Sequence, residues 1–279
     1  ELSPDTGDLL ARRVGQWICQ FHHPAVDHLA GIGITKPVIY FAKLLPVIMH
    51  CIQGKSIRMR DEKPVFDPSN GHGTYGIDIS NHQGTIDWTR VRDQKTRKLS
   101  FVYIKATEGA THEDRRYRSN FRQARRAGFL VGSYHYFRTT SDPKEQFLNF
   151  RRVADASTQD LIPVVDVEEM DRWSPLTFHR NLGEFLDLVE KHYGVKPLIY
   201  TVHSFYNSYL AGRYTDHRFF IARYGRSRPV MKDGHKWSVW QFSESGRVPG
   251  IPRPVDLDVV SSTTSLNELL MSEQVAGRP

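Results

Sequence analysis

From residue 75 onward, short apolar runs alternate with polar, glycine-bearing breaks. The runs are Tyr75–Ser80, Phe101–Thr107, Leu130–Phe137, Ile162–Val167, Pro197–Tyr200, Phe219–Ala222, Trp237–Phe242 and Val255–Val260. Each is short and rich in Val, Ile, Tyr or Phe, the signature of a strand. Helical patterns lie between the early runs. In Asp114–Ala127, Tyr117, Phe121 and Ala124 share one face, and Gly128 follows as a stop. Ser174-Pro175 reads as an N-cap and first helical residue. Behind it Phe178, Leu182, Phe185, Leu186 and Val189 recur at helical spacing until Gly194.

Strand and helix alternating about eight times predict an α/β protein, a closed parallel β/α barrel. The last four runs stand too close together for full helices between them, so an irregular, TIM-like barrel is expected. A doubly wound open sheet is the alternative, but no glycine-rich phosphate loop follows the first run.

The stretch Pro64–Gly73 is a linker by composition, with Pro64, Pro68, Gly71 and Gly73 among small polar residues. It divides an N-terminal extension, residues 1–72, from the barrel, residues 73–279. Within the extension, Ile32–Ile52 is broken by Lys36, Pro37, Lys43 and Pro46. Its longest charge-free apolar run, Leu44–Cys51, is far short of the ~20 residues a spanning helix needs. A soluble protein with no membrane span is therefore expected. Cys19 and Cys51 are the only cysteines, and one disulfide or two buried thiols fit equally. His22, His23 and His50 stand near them without zinc-loop spacing. The chain begins at Glu1 instead of Met, which fits the removal of a signal peptide or of upstream domains.

Composition narrows the class. With 39% hydrophobic and 25% charged residues, disorder and fibrous repeats are excluded, and two cysteines exclude a disulfide scaffold. The net charge is +7; residues 1–72 hold 8 Lys/Arg against 7 Asp/Glu, so the excess lies in the barrel. Such a surface meets anions: nucleic acid, anionic lipid or an acidic polymer such as a bacterial wall.

The candidate chemistry lies where the runs end. A β/α barrel carries its active site at the C-terminal edge of its strands. Asp78 closes the first run, Glu108 follows the second, Asp166 and Glu168 end the fourth, and Asp256 and Asp258 sit in the eighth. In Asp166-Val167-Glu168 the two acids point the same way. Carboxyls held close cannot both ionise freely, so one keeps a proton. That division into proton donor and anion is what glycoside hydrolysis requires. A surface pair or an all-oxygen Mg²⁺ site is the competing reading; no His lies within ten residues of the pair. Tyr134 and Tyr136 on the third run, with Trp237, Trp240 and Gln241 on the seventh, could present aromatic faces and an amide to a sugar. Of these, Trp240-Gln241 is the stronger candidate contact. His135 faces opposite to the two tyrosines, with a structural or a site role equally open.

Taken together, the chain from Tyr75 to Val260 resembles the family 25 glycoside hydrolases, the Chalaropsis-type lysozymes or N-acetylmuramidases. The resemblance rests on Gly-Ile-Asp-Ile-Ser-Asn-His-Gln-Gly from Gly76, Ile-Asp-Trp ending at Trp88, and Phe-Val-Tyr-Ile-Lys-Ala-Thr-Glu-Gly from Phe101. Val-Gly-Ser-Tyr-His-Tyr-Phe from Val131, Val-Val-Asp-Val-Glu from Val164, Leu-Ile-Tyr-Thr from Leu198, Trp-Gln at Trp240 and Val-Asp-Leu-Asp from Val255 complete it. It implies five β/α units plus three further strands, and cleavage of the β-1,4 bond between N-acetylmuramic acid and N-acetylglucosamine. Glu168 would be the general acid. Asp166 would be a nucleophile or the group orienting the substrate's 2-acetamido carbonyl. Asp78, Glu108 and Asp256 would bind sugar and tune the central pair, with Tyr134, Tyr136, Trp240 and Gln241 as further substrate contacts. Asp258 stands where the family usually carries Asn, and its charge would raise the pKa of Glu168 if it faced the site.

The resemblance implies no cofactor and no metal. The partner is the peptidoglycan glycan strand, reached outside the cytoplasm, and an inhibitor or immunity protein would be a second kind of partner. Two other functions compete with this one. The first is a peptidoglycan-binding module without turnover, which the full set of acids argues against. The second is nucleic-acid binding, for which no module is recognisable and the aromatics do not interleave with the arginines. The chitinase-type ladder Asp-x-x-Asp-x-Asp-x-Glu is absent, since Ile162 and Val164 occupy its earlier acidic places. The arginines of the first helix, Arg115 to Arg126, are a solvated face or a hold on the anionic wall.

Overall fold

The computed structural model describes residues 73–92, 98–225 and 227–271. The expectations for the extension, for the linker up to His72 and for Cys19 and Cys51 fall outside the described residues.

The eight expected runs are all strands. In chain order they are β1 (Tyr75–Ile79), β2 (Leu99–Glu108) with its short antiparallel partner β3 (His112–Glu113), β4 (Leu130–Tyr136), β5 (Val164–Asp166), β6 (Leu198–Val202), β7 (Phe219–Ala222), β8 (Trp237–Gly246) and β9 (Val255–Val260). Leaving β3 aside, each pairs with the next, and β9 returns to β1 to close an eight-stranded barrel. The pairings from β1 round to β8 are parallel. The last strand departs from the all-parallel expectation, since β9 is antiparallel to both neighbours. A parallel crossover needs a dozen or more residues, usually a helix. The segment from Gly246 to Val255 is too short for one, so the chain turns back. The start of β9 therefore lies at the edge where the parallel strands end.

Among the described residues, four helices cover the outside of the barrel: α1 (Trp88–Arg92), α2 (Tyr117–Arg126), α3 (Pro143–Val153) and α4 (Pro175–Tyr193). α4 is built as its sequence predicts. Ser174 accepts from the Thr177 N–H, Pro175 is the first helical residue, and Gly194 caps the end at φ 73°, a left-handed conformation that costs glycine little. α2 begins later than expected because Asp114 is engaged elsewhere. Its carboxylate accepts from Asn81 N, Asn81 Nδ2 and Arg116 N. α3 adds to the expected helices, and Asp142-Pro143 is its cap and first turn. Beyond β6 the helices shrink to a turn at His203–Phe205 and a π-type turn at Tyr206–Leu210. Among the described residues, no helix is long and apolar enough to cross a membrane.

The face of α4 carrying Phe178, Leu182, Phe185, Leu186, Val189 and Tyr193 is buried against the barrel. Each large side chain so buried contributes ~1.5–3 kcal/mol. His135 belongs to this layer. It is fully buried, stacks on Phe185 at 4.9 Å, and joins Thr107 Oγ1 (2.8 Å) to Gln146 Oε1 (3.2 Å). Burial pushes its pKa down to about 3, so it is a neutral structural residue.

Inside the barrel, Phe101, Tyr103 and Phe220 form an aromatic floor, with Tyr103 packed 6.0 Å from both Phe101 and Phe220. The rings fit because Gly76 and Gly132 lack a Cβ; one added at Gly76 would collide with Phe101, and one at Gly132 with Tyr103. This floor keeps water from below the residues at the mouth.

Candidate active site

Above the aromatic floor the barrel opens into a cavity of about 280 Å³. Its wall takes one or two side chains from almost every strand. Asp78 comes from β1, Lys105 from β2, Tyr134 and Tyr136 from β4, Asp166 and Glu168 from the end of β5, and Tyr200 from β6. Tyr224 follows β7, Gln241 and Glu244 belong to β8, and Asp256 to β9. The period-two alternation of a strand sets these directions. Asp166 and Glu168 face the cavity, whereas the intervening Val167 is buried in the hydrophobic core.

A chain of hydrogen bonds orders one side of the cavity. The hydroxyls of Tyr200 (2.9 Å) and Tyr224 (3.0 Å) both donate to Gln241 Oε1, and Gln241 Nε2 donates to Asp78 Oδ2 at 2.6 Å. Two hydroxyl donors at the carbonyl leave the amide N–H free to meet the carboxylate, which fixes the amide orientation. Asp78 stands opposite Asp256 across the β1–β9 ladder.

Burial dominates the electrostatics. It raises the pKa of Asp78 well above the carboxylate range, helped by the Asp256 charge. It raises Asp256 to about 6. Asp166 is raised well above its ordinary value by burial and then by Glu168, and Glu168 is raised by burial. Asp166 and Glu168 interact closely enough that the Glu168 charge disfavours ionisation of Asp166, so the two titrate together. Lys105 places a cation on the cavity wall and opposes the upward shift of both.

Of the residues named from the sequence, the structure brings together Asp78, Asp166, Glu168, Asp256, Tyr134, Tyr136 and Gln241. Glu108 and Trp240 do not line the cavity. Glu108 is turned into an ion cluster beside it, with Lys105 Nζ at 2.6 Å and Arg138 Nε at 2.8 Å. Burial opposes its ionisation, but these hydrogen bonds outweigh burial and lower its pKa. An irregularity in β2 between Lys105 and Thr107 sets Glu108 opposite Tyr136 at the strand end, where Lys105 and Arg138 engage its carboxylate. Trp240 faces outward, as the neighbour of an inward Gln241 must, and its indole N–H donates to Arg223 O at 2.8 Å. Asp258 also differs from expectation. It is fully buried beneath the mouth with neither carboxyl oxygen hydrogen-bonded. Burial first, then Asp78 and Asp256, raise its pKa well above normal, which favours its uncharged form.

Lys105, Tyr200, Tyr224 and Glu244 are cavity residues that sequence reasoning missed. Lys105 shares the inward phase of Tyr103, and Tyr200 stands within Leu-Ile-Tyr-Thr, so alternation could have found both. Tyr224 lies in a loop with no pattern to mark it. On the outer wall, two of the α2 arginines pair with acids: Arg118 with Glu113 at 2.9 Å and Arg125 with Asp160 at 2.8 Å. Among the described residues, no group of three or more His, Cys, Asp or Glu side chains is arranged to hold a metal ion. The cavity thus offers a carboxyl pair, further acids and aromatic hydroxyls suited to a polyhydroxylated ligand.

The sequence profile of glycosyl hydrolases family 25 matches residues 77–251. The chain is 38% identical to the uncharacterised protein YegX of Escherichia coli K12, over 68% of this chain and 70% of that one. It is 34% identical to an autolytic lysozyme of Clostridium acetobutylicum, over 67% of this chain and 55% of that one. In three dimensions it matches a family 25 glycosyl hydrolase from Bacillus anthracis with a TM-score of 0.62 and 29% identity, covering 68% of this chain and 89% of that one.

Proposed function

The chain belongs to family 25 of the glycosyl hydrolases and is a lysozyme-type glycoside hydrolase; on that premise we propose that it cleaves the β-1,4 bond between N-acetylmuramic acid and N-acetylglucosamine in peptidoglycan. The observation that carries this reading is the Asp166–Glu168 carboxyl pair, both raised by burial and both lining a cavity walled by tyrosines.

Glu168 is the general acid. It is the half-exposed member of the pair and reaches the space where a glycosidic oxygen would lie. Burial raises both carboxyls, which favours a protonated acid at the pair in the free protein. Protonation of the glycosidic oxygen by Glu168 lets the C1–O bond break toward an oxocarbenium-like transition state. Asp166, once ionised, acts as the nucleophile or orients the 2-acetamido carbonyl for attack. Water then completes hydrolysis, with Glu168 taking its proton. Asp78, held by Gln241, and Asp256 bind the sugar hydroxyls, and Tyr134 and Tyr136 border the ring. Action on the wall places the enzyme outside the cytoplasmic membrane.

The test is digestion of purified peptidoglycan by the wild-type chain and by Glu168→Gln, with products identified by mass spectrometry. A positioned general acid contributes ~10²–10⁴ in rate, so the variant loses at least that much release of fragments with muramic acid at the reducing end. Equal release by both would remove Glu168 from its role. Absence of release by the wild type would sink the enzyme reading in favour of a binding module.

A further inference from the structure

A second cavity, of about 540 Å³, opens between the loops that leave β4 and β5, on the same edge of the barrel as the carboxyl pair. Both loops run from the first cavity to this one. Tyr136 lines the catalytic cavity and Thr139, three residues on, lines the second; Glu168 lines the first and Arg172 the second. Glu169 ties the two loops together, accepting from Arg138 Nη1 at 2.7 Å and from the Thr139 N–H at 3.4 Å.

The walls are held in place. Gln146 of α3 accepts from the Arg138 N–H at 2.8 Å and donates to Arg138 O at 2.8 Å and Ser141 O at 3.0 Å. Trp173 packs edge-on against Phe137 at 5.8 Å, and the rest of it is partly exposed.

The uncommitted polar groups are donors. Thr139 is only 1% exposed, yet its Oγ1 has no hydrogen-bond partner. Arg172 and Arg180 are exposed and form no ion pair among the described residues; Arg180 Nε meets only the neutral Asn181, at 3.2 Å. The acids that border the cavity are already engaged, Asp142 in capping α3 and Glu184 with Lys144 at 3.4 Å. Two guanidinium forks, a hydroxyl and an indole face match a carboxylate on a short, partly apolar chain.

We propose that this cavity binds the carboxylate-bearing stem peptide attached to N-acetylmuramic acid, so that the enzyme reads peptide and glycan together. The proposal rests on the muramidase reading. The stem peptide is the acidic branch of that substrate, and this cavity is the donor-rich recess one loop away from the carboxyl pair.

The test compares kcat/KM on glycan strands that carry stem peptides, on the same strands with peptides removed, and on strands whose peptide carboxyls are amidated. The wild type prefers the free-acid peptide strands. In Arg172→Ala/Arg180→Ala the ratio of kcat/KM for peptide-bearing over peptide-free strands falls about tenfold, through KM, as expected for lost charged hydrogen bonds. Thr139→Val, which keeps the shape, lowers the same ratio by less. Amidation reproduces the loss in the wild type. An unchanged ratio in the double variant overturns the proposal, as does indifference to amidation. If the wild type cleaves none of the strands, the muramidase reading fails by itself. Calorimetric titration of muramyl dipeptide then decides the site: binding that weakens in the double variant supports it, and equal or absent binding overturns it.

Discussion

Gln241 donates to Asp78 at 2.6 Å across 163 residues of sequence, with its carbonyl held by two tyrosine hydroxyls. It is the piece that sets the direction of a carboxyl it cannot replace. Replacing it with leucine leaves Asp78 and two hydroxyls without their partner. Each orphaned buried group costs about 1–3 kcal/mol. Gln241→Leu should therefore lower both the denaturation midpoint and kcat/KM, the latter by roughly tenfold or more. Kinetics below the melting transition separate the two effects, and an unchanged kcat/KM would deny Gln241 its positioning role.

Lys105 faces the Asp166–Glu168 pair and lowers the pKa of both against the upward pull of burial. Lys105→Met removes that opposition, so the pair must titrate at higher pH. The pH–rate profile should move upward as a whole, while Lys105→Arg should leave it near the wild-type position. Arg138 and Glu169 remain in both variants, so a shift common to the two would point to disturbed packing instead of lost charge.

Stability should fall with rising pH between about 4.5 and 7.5. Asp78, Asp166, Glu168, Asp256 and Asp258 all have folded-state pKa values above the ordinary carboxylate value of about 4. For a raised acid the stabilising contribution is complete below the unfolded pKa and disappears as pH passes the folded one, about 6 for Asp256. Asp258→Asn removes a buried ionisable group whose two oxygens have no partner. It should raise Tm at pH 7.5 more than at pH 4.5 and flatten the dependence. Parallel curves for variant and wild type would show that Asp258 titrates alike in the folded and unfolded chain, with no raised pKa.

Phe185 packs 4.9 Å from His135 and 5.1 Å from Phe137, under the strand that carries Tyr134 and Tyr136. Phe185→Ala opens a cavity there and should cost about 3–5 kcal/mol in equilibrium unfolding. A loss under about 1 kcal/mol would mean that α4 can settle into the space.

The eight strands, the start and stop of α4 and the placing of Asp166 and Glu168 on one side of their strand are legible in the chain's own pattern. These follow from local rules: period-two alternation, capping chemistry and a proline at the first helical position. Alternation also carries the cost of being local. It set Trp240 outward as soon as Gln241 was known to face in, yet nothing in the run Trp237–Phe242 says which of the two neighbours does. The tertiary structure decided that. Closure of the barrel chose Gln241, Arg138 from the loop after β4 drew Glu108 into an ion cluster, and the antiparallel return of β9 brought Asp256 to the mouth and left Asp258 beneath it. Each outcome depends on partners far away in the chain, and side chains at barrel closure are selected by the space and charge those partners leave, which no local spacing encodes.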